Sequence, residues 1–292
     1  MAVCEISVLI PVNSDRFLAE TLRSIQAQTI DHDLIEIVLI LDRIKETTIR
    51  NIINSEIKDI LVSINESKVP GIVSALNLGL KLSTGKFIAR LDHDDIMYPN
   101  RLKFQHEFLI CNPDFSAIGG RITLIDETGK FLGDVHYPVK SGTCKNLIFF
   151  FSPIPHPASM FRKEIVLEIG GYREKLPEDW DLWARLSEKS RIGNLNIPVI
   201  NYRVHAEQLS RMSMYQINNA RKLIITSRRL RRRGLYDLPE DNFTPEKWYT
   251  QNVKSLNYGS IFLKTDKMKW QIWDVLQFIH RAIRKIAQII GF

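Results

Sequence analysis

Within its first hundred residues the chain alternates short apolar, β-forming runs with segments of helical spacing, a pattern that restricts it to a sheet joined by crossover helices. "ISVLIPV", "IEIVLILD", "ILVSIN" and "KFIARLD" read as strands. After the first, "DRFLAETLRSIQAQT" sets Phe17, Leu18, Leu22 and Ile25 at helical spacing, and "GIVSALNLGLKLSTG" reads as a helix closing at Gly85. Right-handed crossovers make such strands parallel and bring their C-terminal ends to one rim, where open α/β sheets bind ligands. Asn13, Asp42 and Asp92 each stand at or just past a strand end.

The fourth strand runs into "LDHDDIMYP", which gathers Asp92, Asp94 and Asp95. Like charges this close raise one another's pKa unless a cation or a set of donors compensates them. The cluster reads either as a helix N-cap among solvated acids or as a hard-cation site, in which Mg2+ or Mn2+ is held by one or two carboxylates and a diphosphate. Its place on the ligand rim favours the second reading.

A second acidic pair, Glu178 and Asp179, opens the helix in "LPEDWDLWARL", where Leu182, Trp183 and Leu186 face a core. Dipole complementation explains acids there; so does a general base that takes a proton from an acceptor hydroxyl. His205 in "YRVHAEQLS" is a structural histidine, a metal ligand or a phosphate-binding cation. His156, between two prolines in "PIPHPA", has a rigid loop setting and is set behind His205.

From Pro99, "NRLKFQHEFLIC" is helical, and residues 115–137 read as short strands with a hairpin around "DETGK". "HPASMFRKEIVLEIGGY" reads as a strand, a helix and a Gly-Gly turn. Residues 211–233 read as a helix ending in "RRLRRRG", followed by a linker, "LYDLPEDNFTPEKW".

Lys and Arg outnumber Asp and Glu by 40 to 33, a net +7 that points to an acidic partner: nucleic acid, anionic lipid or a phosphorylated substrate. No RNA- or DNA-binding motif accompanies the "RRLRRR" cluster, so nucleic acid is not the partner expected. Cys4, Cys111 and Cys144 form no C-x-x-C pair, which fits a reducing cytoplasm better than a disulfide framework or a zinc site. The N-terminus lacks a basic n-region, and no apolar run reaches the roughly 18 to 20 residues that span a bilayer.

In the last 25 residues, 268–292, Ile272, Leu276, Ile279, Ile283, Ile286 and Ile290 form one apolar stripe opposite Arg281, Arg284 and Lys285. The stripe suits packing on the domain that precedes it, a second subunit in a homo-oligomer, or an interfacial membrane helix with Trp270 and Trp273 at one end. The anionic inner face of the cytoplasmic membrane accounts for both basic segments.

Taken together and in order, "LIPVNSDRFLAETLRSIQAQT", "GIVSALNLGLKLSTGKFIARLDHDD", "GGYREKLPEDWDLWARL" and "YRVHAEQLS" resemble the bacterial family 2 glycosyltransferases of GT-A fold over about residues 5 to 210. The resemblance implies an α/β, Rossmann-like, mostly parallel sheet with helices on both faces. It implies a catalytic domain over 1–210, with a nucleotide-binding part over about 1–98 and an acceptor-binding part over about 99–210, then a helical extension over 211–292. The activity implied is metal-dependent, inverting transfer from a nucleotide-diphospho-sugar, with a UDP-sugar the expected donor, to a glycan or lipid-linked acceptor in polysaccharide biosynthesis.

Carried across by position, Pro11 and Val12 line the nucleobase pocket, Asp42 binds base or ribose, and Gly71 and Asn77 shape the nucleotide side. Asp92 and Asp94 form the D-x-D motif, with Asp94 the foremost ligand of Mn2+ or Mg2+ and His205 approaching the metal or diphosphate. Asp179 is the implied base, while Gly170, Gly171, Tyr172 and Glu178 line the acceptor side. Two positions depart from the family pattern: Leu41 stands where a second acid often precedes Asp42, and Leu76 replaces an Arg before Asn77.

The rival readings are a nucleotidyltransferase, for which "PVNSDRF" lacks the Gly-rich phosphate loop, and a non-catalytic nucleotide-sugar-binding module, against which both Asp94 and Asp179 argue. UDP-galactose, UDP-glucose and their N-acetyl forms remain open as donors.

Overall fold

The computed structural model describes residues 4–174, 177–205 and 214–234, with side chains from 219 onward in the last stretch. The expectations for residues 268–292 and for the linker after Gly234 fall outside the described residues. The chain divides into two compact units, Met1–Arg229 and Leu230–Phe292.

The first half builds β1 (Ile6–Val12), α1 (Leu18–Gln26), β2 (Ile35–Leu41), α2 (Glu46–Glu56), β3 (Leu61–Glu66), α3 (Ile72–Leu82) and β4 (Phe87–Arg90). β1 and β2 are buried along their whole length, as their unbroken apolar runs require of strands covered on both faces. These strands lie in the order β3-β2-β1-β4, all parallel. α2 is not among the elements expected from the sequence, although Ile49, Ile52 and Ile53 carry its helical spacing and pack into the core. α3 stops at Leu82, before the expected Gly85, where Ser83 Oγ donates to the Gly79 carbonyl.

The second half adds β5 (Ile96–Met97), α4 (Arg101–Cys111), β6 (Phe115–Ile125), β7 (Phe131–Val135), α5 (Ser141–Leu147), β8 (Met160–Arg162), α6 (Lys163–Glu168), α7 (Glu178–Lys189), β9 (Arg191–Arg203) and α8 (Met214–Arg232). The full order is β3-β2-β1-β4-β8-β6-β9-β5, with β7 on β6. β8 runs antiparallel to both β4 and β6, whereas β6 and β9 are parallel. The parallel set of the first half therefore continues into a mixed second half.

Two apolar cores flank the sheet. On one face Val8 and Ile10 meet Leu18 and Leu22 of α1 and Leu102 and Leu109 of α4. On the other, Leu9 belongs with Ala75, Leu76 and Leu80 of α3 and Leu182 and Trp183 of α7. Each large side chain so buried contributes roughly 1.5–3 kcal/mol. Among the described residues, no helix is long and apolar enough to cross a membrane.

Candidate active site

Strand register assembles the first acidic pole. β5 pairs antiparallel with β9, Ile96 opposite Asn201, so the residues just before β5 lie beside those that end β9. Arg203 N donates to Asp95 Oδ1 at 3.0 Å, and His205 Nε2 stands 2.7 Å from Asp94 Oδ2. Arg203 also ties the surrounding loops together: Nε donates to the Asp94 carbonyl, Nη1 to the Glu127 carbonyl and Nη2 to Glu20, while the guanidinium lies 4.3 Å over the Phe17 ring.

Asp92, Asp94 and Asp95 each present a carboxylate oxygen, all within 4.8 Å of one another. Arg90, at the end of β4, pairs with Asp92, Nη1 to Oδ2 at 2.6 Å. Burial alone would lower the Arg90 pKa, but the Asp92 carboxylate reverses this and raises it. Asp95 is pushed well above the usual carboxylate range, first by burial and then by the Asp92 and Asp94 charges, with the Arg203 amide and Arg90 opposing. Among the described residues, the buried Asp95 Oδ2 and His205 Nδ1 find no hydrogen-bond partner. Clustered carboxylates with one imidazole form a donor set that fits Mg2+ or Mn2+.

The second pole opens α7. Glu178 is held down at about 2: burial raises its carboxyl, but the neighbouring His156 ring and Arg90 charge lower it further. Asp179 moves the other way, raised by burial and then by the Glu178 charge, with His156 and a hydrogen bond from Ser152 (Oγ to Oδ2, 2.7 Å) opposing. Two adjacent carboxyls are thus split into an ionised neighbour and a more basic partner. The Asp92 carboxylate and, more weakly, the Glu178 charge both raise the Arg90 pKa.

The Gly-Gly turn is fastened to both neighbours. Gly170 and Gly171 adopt φ of +86° and +67° as they end α6, a left-handed helix stop that suits glycine. Arg185 Nη2 donates to the Gly171 carbonyl, and Arg173 and Arg185 both hold the buried Asp181. Asn77, which the resemblance puts on the nucleotide side, spends its amide on Tyr172: Nδ2 donates to the Tyr172 carbonyl at 2.8 Å, and Tyr172 N donates to Oδ1 at 2.9 Å. Tyr172 itself is buried, its hydroxyl 2.8 Å from His156 Nε2.

Of the residues the resemblance puts on the nucleotide side, Val12, Asp42 and Gly71 are joined by hydrogen bonds at the ends of β1 and β2. Asp42 N donates to the Val12 carbonyl, and Asp42 Oδ2 accepts from Gly71 N at 3.1 Å, at the start of α3. Gly71 has φ +116°, a conformation that only glycine adopts readily. Pro11 and Val12 are both buried beneath this corner. The sequence reading missed Arg90 and Ser152 and set His156 aside; the flanking prolines were its signal for His156.

The sheet order places the chain among mixed α/β folds, and likeness to solved structures shows that it is a GT-A fold. The chain is similar to Staphylococcus aureus TarS solved with UDP-GlcNAc, at TM-score 0.59 and 17% identity over 86% of this chain and 76% of that one. A mannosyltransferase of Pyrobaculum calidifontis, PcManGT, solved with GDP-Man and Mn2+, is similar at TM-score 0.57 and 15% identity, covering 80% of this chain and 66% of that one. The family model described as Glycosyl transferase family 2 matches residues 7–170, more than half of the chain, and the chain belongs to that family. The Escherichia coli O-antigen biosynthesis glycosyltransferase WbnJ is 33% identical over 148 residues, 49% of this chain and 58% of that protein. Alignments with four curated relatives span only 33% to 58% of those relatives' lengths.

Proposed function

We propose that this protein transfers a sugar, with inversion, from a nucleotide-diphospho-sugar to a glycan or lipid-linked acceptor in bacterial polysaccharide biosynthesis. The observation that carries the reading is the cluster of Asp92, Asp94 and Asp95, their oxygens within 4.8 Å of one another, with Arg90 on Asp92 and His205 on Asp94; Asp179 at the start of α7, held by Ser152, supplies the second carboxyl. A UDP-sugar is the donor favoured, by analogy with the UDP-GlcNAc complex of TarS.

Asp94 and Asp92, with His205, are the residues that would hold Mn2+ or Mg2+. When bound, the cation neutralises charge on the leaving diphosphate. Asp42 and Gly71 take the nucleoside, above Pro11 and Val12. Asp179 accepts the proton of the attacking hydroxyl as the acceptor oxygen bonds to the anomeric carbon, and the bond to the diphosphate breaks with its electron pair leaving on the nucleotide. Single displacement inverts the anomeric centre and needs no enzyme nucleophile. Residues 268–292, outside the described set, are proposed to reach the membrane that carries a lipid-linked acceptor.

The test is thermal stability with nucleoside diphosphates, with and without Mn2+, for wild type and Asp94→Ala. A ligand at 100 times its Kd adds roughly 2.7 kcal/mol. Mn2+-dependent stabilisation by UDP that is lost in the variant supports the reading and directs a transfer screen with UDP-sugars. A folded protein that answers no nucleotide overturns it.

A further inference from the structure

His156 lies in neither acidic pole, yet it is 6% exposed and touches the base side. A 3-10 turn, His156–Ala158, holds its backbone between Pro155 and Pro157, and Ser159 Oγ donates to its carbonyl at 2.7 Å. Its ring meets Trp183 edge-on at 6.0 Å and Tyr172 at 5.4 Å, so it has little freedom to turn. Nε2 is 2.8 Å from Tyr172 Oη, and Nδ1 is 3.7 Å from Glu178 Oε1.

The two contacts select a tautomer. Tyr172 is buried, and burial raises its pKa, so the phenol keeps its proton. A buried hydroxyl needs an acceptor, and the one found for Tyr172 Oη among the described residues is His156 Nε2. With Nε2 accepting, the neutral ring carries its proton on Nδ1, facing the Glu178 carboxylate. The 3.7 Å separation is long for a hydrogen bond, as such contacts often are before substrate binds.

We propose that His156 is a positioning residue for the Glu178–Asp179 pair: an Nδ1–H imidazole, its tautomer set by Tyr172, that holds Glu178 in place while Asp179 takes the acceptor proton. The inference rests on the sugar-transfer reading above. The charged and titratable groups around the ring are Glu178 and Asp179 of α7, Tyr172 of the Gly-Gly turn and, acting through Glu178 and Tyr172, Arg90 of β4. Continuity strengthens it. Asp42 meets Gly71 at the start of α3, Asn77 of α3 grips the Tyr172 backbone, and Tyr172 meets His156. One line of contacts thus registers the base pair against the helix that borders the nucleotide.

Two measurements on the full chain test it. In the first, 15N-histidine spectra at neutral pH, with His156 assigned by its loss in His156→Gln, are expected to show Nδ1 protonated and Nε2 bare in wild type, and the tautomer to revert in Tyr172→Phe. A wild-type ring protonated at Nε2 overturns the proposal whether or not transfer has been detected. In the second, His156→Asn keeps a donor near the Nδ1 position, whereas His156→Gln moves it to the Nε2 position. The Gln variant is expected to lose kcat on the order of 100-fold and the Asn variant much less, both with unchanged donor KM and unchanged Mn2+-dependent UDP stabilisation. Wild-type kcat in the Gln variant, or equal losses in both with raised donor KM, overturns the proposal. Failure of the wild type to bind any nucleotide sinks the sugar-transfer reading instead, and the spectra then decide the His156 arrangement alone.

Discussion

Arg90 and Asp92 form an ion pair at the mouth of β4, with the guanidinium 5% and the carboxylate 28% exposed. Both groups follow from the strand: Arg90 is its last residue and Asp92 lies two positions on. The pair answers part of the repulsion among the three acids, and a divalent cation answers more of it. Removing the guanidinium therefore has a legible consequence.

Arg90→Met leaves Asp92 beside two other carboxylates with no guanidinium partner. Breaking a fully buried pair costs about 3–5 kcal/mol; Asp92 is 28% exposed and can be rehydrated, so chemical denaturation without metal is expected to show a loss smaller than that. Mn2+ is expected to restore more stability to the variant than it adds to wild type. Equal stability of the two proteins without metal would count against the pairing.

Asp179→Asn removes the proposed base and leaves the metal pole intact. The expected loss in kcat is on the order of 10²–10⁴, with the UDP and Mn2+ thermal shift retained. Because burial and Glu178 raise the Asp179 pKa, the acid limb of the rate profile lies above that of an ordinary aspartate. Ser152→Ala deletes a hydrogen bond that lowers it, so that limb is expected to move to still higher pH. A shift the other way would show that Asp179 is not the titrating base.

Glu178 gives a stability prediction. Its carboxyl is held down at about 2 in the fold, against roughly 4.3 in an unfolded chain. A depressed carboxylate stabilises the fold above its unfolded pKa, and that contribution is lost as pH falls toward the folded one. Denaturation of Glu178→Gln is expected to depend less on pH between those two values than wild type does. Parallel curves would refute the shift.

Gly171→Ala tests the turn. At φ +67° an added Cβ is strained, and it would also lie 2.6 Å from Asn77 Oδ1. The backbone conformation alone costs about 1–2 kcal/mol. The Asn77–Tyr172 contact would have to give way, so the loss of stability should come with a loss of kcat. A variant with wild-type stability would mean that the turn is not held as described.

The four strands of the first half, most of the helices and both acidic runs were legible because each has a local cause, whereas β5, two residues long, carries no such signal. Unbroken apolar runs make covered strands, and carboxylates past a strand end mark the ligand rim. Even α2, outside the sequence expectations, carries its signal in Ile49, Ile52 and Ile53. What the sequence could not disclose is who meets whom. His205 reaches Asp94 across 111 positions because β5 pairs with β9, and Asn77 reaches Tyr172 across 95 because α3 and the Gly-Gly turn share a face of the sheet. Arg90 read as one residue of a strand until the fold paired it with Asp92, and His156 read as a rigid loop residue until Tyr172 and Glu178 closed on it. Composition and periodicity determined the elements by themselves, since those depend on neighbours in the chain. Strand order and register, which depend on packing between distant segments, decided the site.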